Sequence, residues 1–511
     1  IIVTNKLYDI NIGQDRAAEN AFIESEVHEW FKMASTQDME GQNSAMVNKQ
    51  LGTLLMAGSR RVQPVQYAAV ADQVIRDELN SAVAAINSSK TDVQEEVPAI
   101  AEEEEGSSRR TDAIQGMVQR PNMRHHSSSP NKKLALTIDP LAVRENMDAY
   151  KDTWSFDAVL FESQTGTKLL TILAVDFFAG HDLYNAFEIP VAVLQEFAHV
   201  LERGHLKTNP YHTATHAADV LQAFHVLALL INQSRKDCLN QQDMLVGLLA
   251  AMMHDFEHPG YSNRYLIRTV HPIAMRYNDL SPLENYHVAE SFNTMLTSQG
   301  GKADPLQHLT EAQYQQVRKA IIQSVFATDN DLHPQLLSTF KTKMMSKDFP
   351  SSTDDKQCLM NMLIHGADIA NPTRPLEIYL KWVPRIMEEF WEQGDQEKAA
   401  GLPISPYADR QMPNVPRCQL GFLEMLVVPL FMFLEKFAHA IEDARINTNA
   451  QVNRAHYVAQ IEQQEADETG QHSRRNVGRG TRNSAGMARV AQHSQAGRNG
   501  AMRVWGKFKR N

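Results

Sequence analysis

Apolar residues recur every three or four positions through most of the chain between residues 138 and 465. That spacing places them on one face of an α-helix, where they can pack against a core. The periodicity is clear over residues 191–201, 217–231, 244–253, 286–296, 312–326, 358–365, 376–393 and 420–441. Strand-like alternation bounded by hairpin turns is nearly absent there. The pattern predicts an all-α fold, with a compact multi-helix domain over residues 136–465.

The rest of the chain divides into three segments by composition. Residues 1–90 are compatible with helix, because they combine alanine and mixed charge with little Gly or Pro, but they carry no chemistry that assigns a role. Residues 91–135 contain seven acidic residues between Asp92 and Glu105 and several serines, which is typical of a linker. Residues 466–511 contain ten basic residues and are predicted to form a disordered basic tail.

The charge is strongly polarised along the chain. The net charge is −11, and the segment from Gln471 to Asn511 alone carries ten positive charges and no acidic residue. This tail is a candidate for contact with anionic membrane lipid, and a solvated tail without a partner is the alternative. No specific nucleic-acid partner is expected, and the oligomeric state is left open.

The lengths of the apolar runs and the cysteine content indicate the cellular compartment of the protein. The longest apolar runs, 244–253 and 425–434, are ten residues each, whereas a membrane span requires about 18 to 20. The three cysteines form no CxxC pair, so neither a disulfide framework nor a cysteine zinc site is indicated. We therefore expect a cytoplasmic protein without a transmembrane segment. The chain begins at Ile1 without a signal-peptide pattern, and we expect its natural amino terminus to lie upstream.

Six His and Asp residues in three separated segments form the candidate chemistry: His212, His216, His254, Asp255, His258 and Asp368. Three or four such ligands that converge in space are what a catalytic metal requires. If a helix begins at Pro210, then His212 and His216 leave the same face of that helix. Asp368 follows a predicted helix far along the chain, and the carboxylate of Asp255 can bridge two ions. The spacing predicts a metal-dependent hydrolase.

The surrounding motifs narrow this class. They are Asn209-Pro-Tyr-His-Thr-Ala-Thr-His, His254-Asp-Phe-Glu-His-Pro-Gly-Tyr-Ser-Asn, Leu283-Glu-Asn-Tyr-His, Ala327-Thr-Asp-Asn-Asp-Leu-His, Ala367-Asp-Ile-Ala-Asn-Pro-Thr and Gln419-Leu-Gly-Phe. In order and approximate spacing they resemble the class I 3′,5′-cyclic nucleotide phosphodiesterases, whose catalytic domain is a helical metal phosphohydrolase of the His-Asp type. The resemblance covers residues 138–465.

The resemblance implies two divalent metal ions. A tightly held Zn²⁺ would be bound by His216, His254, Asp255 and Asp368, and Asp255 would bridge to a second, more hydrated Mg²⁺ or Mn²⁺. His212 would be the general acid, with its ring oriented by Glu284. Four further residues would hold waters and ligands in place: His258, Asn263, His287 and Asp329.

The same resemblance implies a purine pocket next to the metals, lined by Tyr211, Asn371, Ile386, Gln419 and Phe422. Gln419 would hydrogen-bond the base edge, while Phe422 and Ile386 cover its two faces. An amide can in principle rotate to serve either purine, so its neighbours decide the selectivity. Asn371 resembles the residue of members that prefer cAMP, and we therefore expect cAMP to be preferred over cGMP.

Two other functions fit the metal ligands. One is a different His-Asp phosphohydrolase that acts on nucleoside polyphosphates, and the other is a cyclic nucleotide sensor or scaffold without turnover. The first has no use for a clamp made by Gln419 and Phe422, and the second has no reason to keep His212. Two positions depart from the family pattern, since Thr213 stands where Asn is common and Tyr286 where a first His is usual. Neither replaces a proposed ligand.

Overall fold

The computed structural model describes residues 64–92 and 138–479. The chain divides into two units, residues 1–69 and 70–511, and of the first unit only residues 64–69 are described. The predicted linker from residue 93 on, most of the predicted N-terminal segment and the tail after residue 479 lie outside the described residues.

The described residues form α-helices joined by short turns and 3₁₀ segments, and they contain no strand. The prediction of an all-α fold is confirmed. The helices are α1 Pro64–Asp92, α2 Pro140–Tyr150, α3 Ala158–Thr165, α4 Leu169–Gly180, α5 Leu183–Ala186, α6 Val191–Gly204, α7 Ala214–Ser234, α8 Gln241–Met253, α9 Asn263–Arg268, α10 Pro272–Arg276, α11 Pro282–Thr297, α12 Glu311–Phe326, α13 His333–Lys343, α14 Thr353–Asp368, α15 Leu376–Ala399, α16 Val415–Phe422, α17 Val428–Phe437, α18 Ala440–Asp443 and α19 Ile446–Arg479.

Helix α7 lies at the centre of the larger unit. Every residue from 215 to 228 is buried, because α7 packs against α4, α8 and α14 on different sides. Helices α4 and α8 are apolar around most of their circumference, which is typical of interior helices. The core is thus built around the three helices, α7, α8 and α14, that carry the predicted metal ligands.

Two helical stretches are long and apolar enough to cross a membrane, by length and composition alone. They are Ala214–Ser234, whose most apolar part is 83% buried inside the fold, and Val415–Phe437, for which the buried share is 39%. A core helix of a soluble protein passes the same test, and the burial of α7 is that of a core helix.

The stretch predicted as one helix over residues 420–441 is interrupted twice. Residues Leu423–Val427 form a π-helical turn between α16 and α17, and the chain is extended at Ala438. Pro429 explains the first interruption, because it has no N–H to donate to the carbonyl of Met425 and its ring crowds that carbonyl. The π turn directly follows Phe422, a residue of the predicted pocket.

Helix α19 continues to Arg479, past residue 466, where the basic tail is predicted to begin. Residues 462–468 contain Glu, Gln, Ala and Asp and no Gly or Pro, so nothing stops the helix there. The amide of Gln463 also donates to Asp467 one turn later, at 3.0 Å. The negative charges of this stretch therefore belong to a helix.

Gly247 fixes the distance between α7 and α8. A Cβ atom at this position would lie 1.8 Å from Cζ of Phe224, whose ring fills the space beside the glycine and is itself fully buried. The close approach of the two helices requires a residue without a side chain.

We predict that Gly247→Ala lowers the free energy of unfolding by about 1 to 3 kcal/mol, since Phe224 has no free space to move into. Chemical denaturation of the whole chain measures this. Gly421→Ala is the matched control, because a Cβ atom there would meet no other atom within 4 Å and the better helix propensity of Ala stabilises α16. Equal stability of the two variants would contradict the packing argument.

Candidate active site

Four predicted ligands from three helices converge at one point. His216 comes from the first turns of α7, His254 and Asp255 follow the end of α8, and Asp368 is the last residue of α14. The Nε2 atom of His216 lies 3.1 Å from Oδ1 of Asp368, 3.4 Å from Oδ2 of Asp255 and 3.4 Å from Nε2 of His254. The Nε2 atom of His254 lies 3.1 Å from Asp255 and 3.5 Å from Asp368. The four residues form a candidate metal site.

These distances fit a bound divalent cation. Ligand atoms about 2.1 Å from a metal are separated by about 3.0 Å in an octahedron and about 3.4 Å in a tetrahedron, and the five distances above span 3.1 to 3.5 Å. A network of ordinary hydrogen bonds fits less well. Oδ2 of Asp255 is buried and accepts no hydrogen bond, although three imidazole nitrogens surround it. The rings point at a common centre more than at this oxygen.

The site is closed on one side and open on the other. The side chains of His216 and His254 are fully buried, whereas those of Asp255 and Asp368 keep 13% and 17% of their surface exposed. A structural metal site is closed, while a catalytic one leaves room for water or substrate. The exposed carboxylates give this site such an opening.

The charges in the site are strongly coupled. Burial lowers the pKa of both His216 and His254, but the adjacent carboxylates outweigh burial and raise both pKa values. Burial raises the pKa of Asp255, and the facing imidazoles outweigh it and hold that pKa well below its usual range. Two carboxylates packed this closely require positive charge, which protons or a divalent cation can supply.

His212 lies beside this cluster and is held by Glu389 of α15. Its Nδ1 atom is hydrogen-bonded to Oε1 of Glu389. Its Nε2 atom lies 3.9 Å from Oδ2 of Asp255, which turns that nitrogen toward the metal site. Burial lowers the pKa of His212, but the charges of Glu389 and Asp255 outweigh it and raise the pKa to about 9. Burial raises the pKa of Glu389, and His212 outweighs it and lowers that pKa to about 2.

The prediction that Glu284 orients His212 is wrong, because the ring is already held by Glu389. Glu284 lies in the first turn of α11 and accepts from Nδ2 of Asn263 at 2.9 Å. Burial, with the nearby charge of Asp329, raises the pKa of Glu284 to about 8. Asp329 in turn accepts from the hydroxyl of Ser281 at 2.7 Å. Glu284, Asn263 and Asp329 thus belong to one polar group on the α11 side of the site.

The prediction that a helix begins at Pro210 is also wrong. Helix α7 begins at Ala214, so His212 precedes the helix and His216 lies within it. The backbone N–H groups of Tyr211 and His212 each donate to Oε2 of Glu389 at 3.0 Å. Since these donors are satisfied by a side chain from α15, the segment does not need helical hydrogen bonds to bury them.

His258 and His287 stack behind His212. The rings of His212 and His258 are 3.9 Å apart and nearly parallel, and those of His258 and His287 are 5.4 Å apart. Burial, reinforced by the charge of His212, holds the pKa of His258 well below its usual range. His287 is fixed by a hydrogen bond between Nδ1 and the backbone oxygen of Phe256, at 2.7 Å. Both rings therefore support His212 as neutral groups.

The predicted base-binding residues lie along α15 and α16. Gln419 is buried, and its Oε1 atom accepts a hydrogen bond of 2.6 Å from the hydroxyl of Tyr379. Its Nε2 atom faces the sulfur of Met387 at 3.6 Å. Phe422, three residues after Gln419 on α16, and Ile386, beside Met387 on α15, are partly exposed. An immobilised amide with apolar neighbours is the environment that a planar base requires.

The hydrogen bonds of Asn371 do not fit its predicted contact with adenine. Its Oδ1 atom accepts from the hydroxyl of Tyr211 and its Nδ2 atom donates to Asp219, both at 2.6 Å. The residue is 3% exposed. Since both ends of the amide are engaged inside the protein, the contact with adenine that we predicted would require this arrangement to break.

Glu389 and Tyr379 are the site residues that sequence reasoning missed. Both lie on α15, on the buried side that also carries Trp382, whose ring contacts those of Tyr211 and His216. A signal was present in the sequence, because Glu389 follows Trp382 by seven residues and thus shares its face of the helix. An acidic residue on the apolar face of a helix is a candidate for function.

Comparison with known proteins relates the chain to one family of enzymes. Residues 211–448 match the family described as 3′5′-cyclic nucleotide phosphodiesterase. A probable 3′,5′-cyclic-AMP phosphodiesterase of Caenorhabditis elegans is 36% identical over 287 residues, which are 55% of this chain and 42% of that protein. The dual specificity calcium/calmodulin-dependent 3′,5′-cyclic nucleotide phosphodiesterase 1B of Mus musculus is 35% identical over 288 residues, 56% of this chain and 52% of that protein. The chain thus spans about half the length of these relatives.

We predict that Asp368→Asn lowers the content of tightly bound metal, because the amide removes one of the two negative charges that offset the cation. Metal analysis of the purified protein after exhaustive dialysis measures this. Asp354→Asn is the matched control, since Asp354 is an exposed carboxylate in the first turn of the same helix. The same metal content in both variants would exclude Asp368 as a ligand.

Proposed function

Because residues 211–448 match the 3′,5′-cyclic nucleotide phosphodiesterase family, we propose that this chain hydrolyses a 3′,5′-cyclic nucleotide to the 5′-monophosphate. Water adds to phosphorus, the bond from phosphorus to the 3′ oxygen breaks, and that oxygen leaves as a hydroxyl. The observation that carries the proposal is the placement of a proton donor, His212, beside four convergent metal ligands.

The reaction needs a nucleophile, charge neutralisation at phosphorus and a proton for the leaving oxygen. When bound, divalent cations supply the first two by activating water and by polarising the phosphate oxygens. His216, His254, Asp255 and Asp368 would hold the tighter ion, and Asp255 would contact a second one. We propose Zn²⁺ for the tighter site, because two imidazoles and two carboxylates suit it, and Mg²⁺ or Mn²⁺ for the second.

The proton comes from His212 in this proposal. Its Nδ1–H is committed to Glu389, so Nε2 is the nitrogen that can donate to the departing 3′ oxygen. The carboxylate of Glu389 stabilises the charged ring and fixes its orientation. It also accepts from the N–H groups of Tyr211 and His212, so it positions the ring and the backbone that carries it.

The Gln419 pocket favours this substrate over a nucleoside polyphosphate. A polyphosphate is recognised through charge, whereas the group formed by Gln419, Phe422 and Ile386 suits a neutral planar base. A sensor without turnover is also disfavoured, because His212 and Glu389 form a paired acid that binding alone does not require.

We place the reaction in the cytoplasm, where the unpaired Cys238, Cys358 and Cys418 would stay reduced. Contact of the basic tail with a membrane remains a prediction outside the described residues.

We propose that cAMP is preferred over cGMP. Tyr379 donates to Oε1 of Gln419, which selects one of the two orientations of this amide. Adenine and guanine present opposite donor and acceptor patterns on this edge, so an amide with a fixed orientation distinguishes the two bases. The choice of adenine follows from the resemblance of Asn371 to the residue of family members that prefer cAMP. Of the two relatives described above, one is named for cyclic AMP and the other for dual specificity.

We predict that His212→Ala lowers the rate of cAMP hydrolysis by about 10²- to 10⁴-fold, which is the range for loss of general acid catalysis. Glu389→Gln should show a smaller loss, because the ring remains but lacks its counter-charge. Both losses should be much smaller for a p-nitrophenyl phosphodiester, whose leaving group needs no proton. Steady-state kinetics at saturating metal measure the rate of each variant with cAMP and with the p-nitrophenyl ester.

The control for Glu389 is Glu392→Gln, which neutralises an exposed carboxylate on the same helix and should not change the rate. If His212→Ala slowed the p-nitrophenyl ester as much as cAMP, the general-acid role would be wrong. If the wild-type protein hydrolysed neither cAMP nor cGMP, the proposed function itself would fail.

We predict that Tyr379→Phe lowers the selectivity for cAMP, expressed as the ratio of kcat/KM values, by about 3- to 10-fold. This corresponds to the loss of one hydrogen bond that orients the amide. Tyr184→Phe removes a different buried hydroxyl, bonded to Val175, and should leave the ratio unchanged. An unchanged ratio in the Tyr379 variant would reject this account of the preference.

A further inference from the structure

A buried ion pair lies behind the active site and is connected to it. The side chains of Arg374 and Asp219 are both fully buried, and Nη2 of Arg374 donates to Oδ1 of Asp219 at 2.9 Å. The same nitrogen donates to Gln222 at 2.7 Å, and the guanidinium lies 4.7 Å from the centre of the Trp154 ring. A buried ion pair is weak evidence for stability, because desolvation of the two charges offsets their attraction. The further contacts of this pair point to a more specific task.

The pair is connected to Tyr211 through Asn371. Nδ2 of Asn371 donates to Oδ2 of Asp219 at 2.6 Å, and Oδ1 of Asn371 accepts from the hydroxyl of Tyr211 at 2.6 Å. Tyr211 belongs to the site, since its ring centre is 4.7 Å from that of His216 and 4.9 Å from that of His212. The chain of contacts thus runs from a buried cation to the hydroxyl of a tyrosine whose ring packs against His216 and His212.

With Asp219 ionised opposite the guanidinium of Arg374, each bond in this chain has only one possible direction. Arginine is always a donor, so Oδ1 of Asp219 must accept. The other oxygen of Asp219 also needs a donor, and only the NH₂ end of Asn371 can supply it, because the reversed amide would place two acceptors 2.6 Å apart. The oxygen of Asn371 then faces Tyr211, and the phenol must donate its single proton to it.

We propose that Arg374 and Asp219 are positioning residues that set the direction of this chain, so that the Tyr211 hydroxyl offers only acceptor lone pairs to the active site. This inference rests on the proposed function, because it gives the hydroxyl its polarity toward substrate and water in the same site. The buried pair affects Tyr211 only through the amide of Asn371.

Exchange of the two side chains tests the direction of the chain. In Asp219→Asn, the new NH₂ group faces that of Asn371, so the Asn371 amide turns over and the Tyr211 proton is released toward the site. In Asn371→Asp, two carboxylates face each other. In the double variant, the new carboxylate at position 371 accepts both from the new amide at position 219 and from Tyr211. The oxygen of that new amide still accepts from Arg374, so the bond between positions 219 and 371 is reversed while Tyr211 again donates to position 371, as in the wild type.

The readouts are kcat/KM for cAMP and the ¹³Cζ resonance of Tyr211 in tyrosine-labelled protein, assigned with Tyr211→Phe. We expect each single variant to lose about 10-fold or more in kcat/KM and to shift the Tyr211 resonance, since a buried hydrogen bond is reversed or lost. The double variant should regain most of the activity and return the resonance to its wild-type position. The thermal midpoints should follow the same order, with the double variant above both singles.

Asn453→Ala is the control for a purely structural effect. Asn453 donates to the backbone oxygens of Pro372 and Arg374, at 2.8 and 2.9 Å, and does not touch the bond between Asp219 and Asn371. This variant should lose thermal stability while the Tyr211 resonance stays in place.

A double variant no more active than the better single one, or one whose Tyr211 resonance stays displaced, would overturn the proposal. The resonance and the thermal midpoint need no substrate, so they also test the chain of bonds if the wild-type protein hydrolyses no cyclic nucleotide. In that case the proposed function fails separately.

Discussion

The structure depends on placing two carboxylates close together at the edge of its core. Asp255 and Asp368 both approach the Nε2 atoms of His216 and His254 within 3.5 Å, and the side chains of these histidines are fully buried. Like charges in a poorly solvated place are unfavourable unless a cation accompanies them. The packing of α7, α8 and α14 holds the four groups in this arrangement. The fold therefore holds two negative charges close together, and a divalent ion is suited to neutralise them.

Glu389 holds the segment that precedes α7 next to these carboxylates. The segment before α7 must present His212 to the metal ligands, and it must do so without helical hydrogen bonds. One carboxylate from α15 binds the His212 ring and accepts from two backbone N–H groups. Orientation of the acid and local backbone geometry therefore depend on a single side chain. The same helix carries Trp382 toward His216 and Tyr379 toward Gln419, so α15 connects the candidate metal site to the predicted base pocket.

Sequence reasoning reached the fold and the four residues of the candidate metal site because their signals are local. The apolar periodicity of 191–201 and 358–365 predicted helices that the structure extends by a few residues. His216, His254, Asp255 and Asp368 were selected by residue type and spacing, each next to a predicted helix. The pairing of His212 with Glu389 could not be reached in this way, because it joins residues 177 positions apart in the chain. The same limit applies to the true start of α7, which a tertiary contact determines, and to the engagement of Asn371 by Asp219.

The π turn at Leu423–Val427 aligns two faces of one helical segment. An extra residue in a helical turn rotates everything that follows by about 100°, relative to an uninterrupted helix. In an uninterrupted helix, Leu430, Phe431 and Leu434 would lie on a face about 100° away from that of Gln419 and Phe422. The extra residue removes this offset, so the residues that α17 buries lie in line with the predicted base-binding residues of α16. Deletion of one residue from the turn would therefore rotate Gln419 and Phe422 away from the site while the core contacts of α17 were kept.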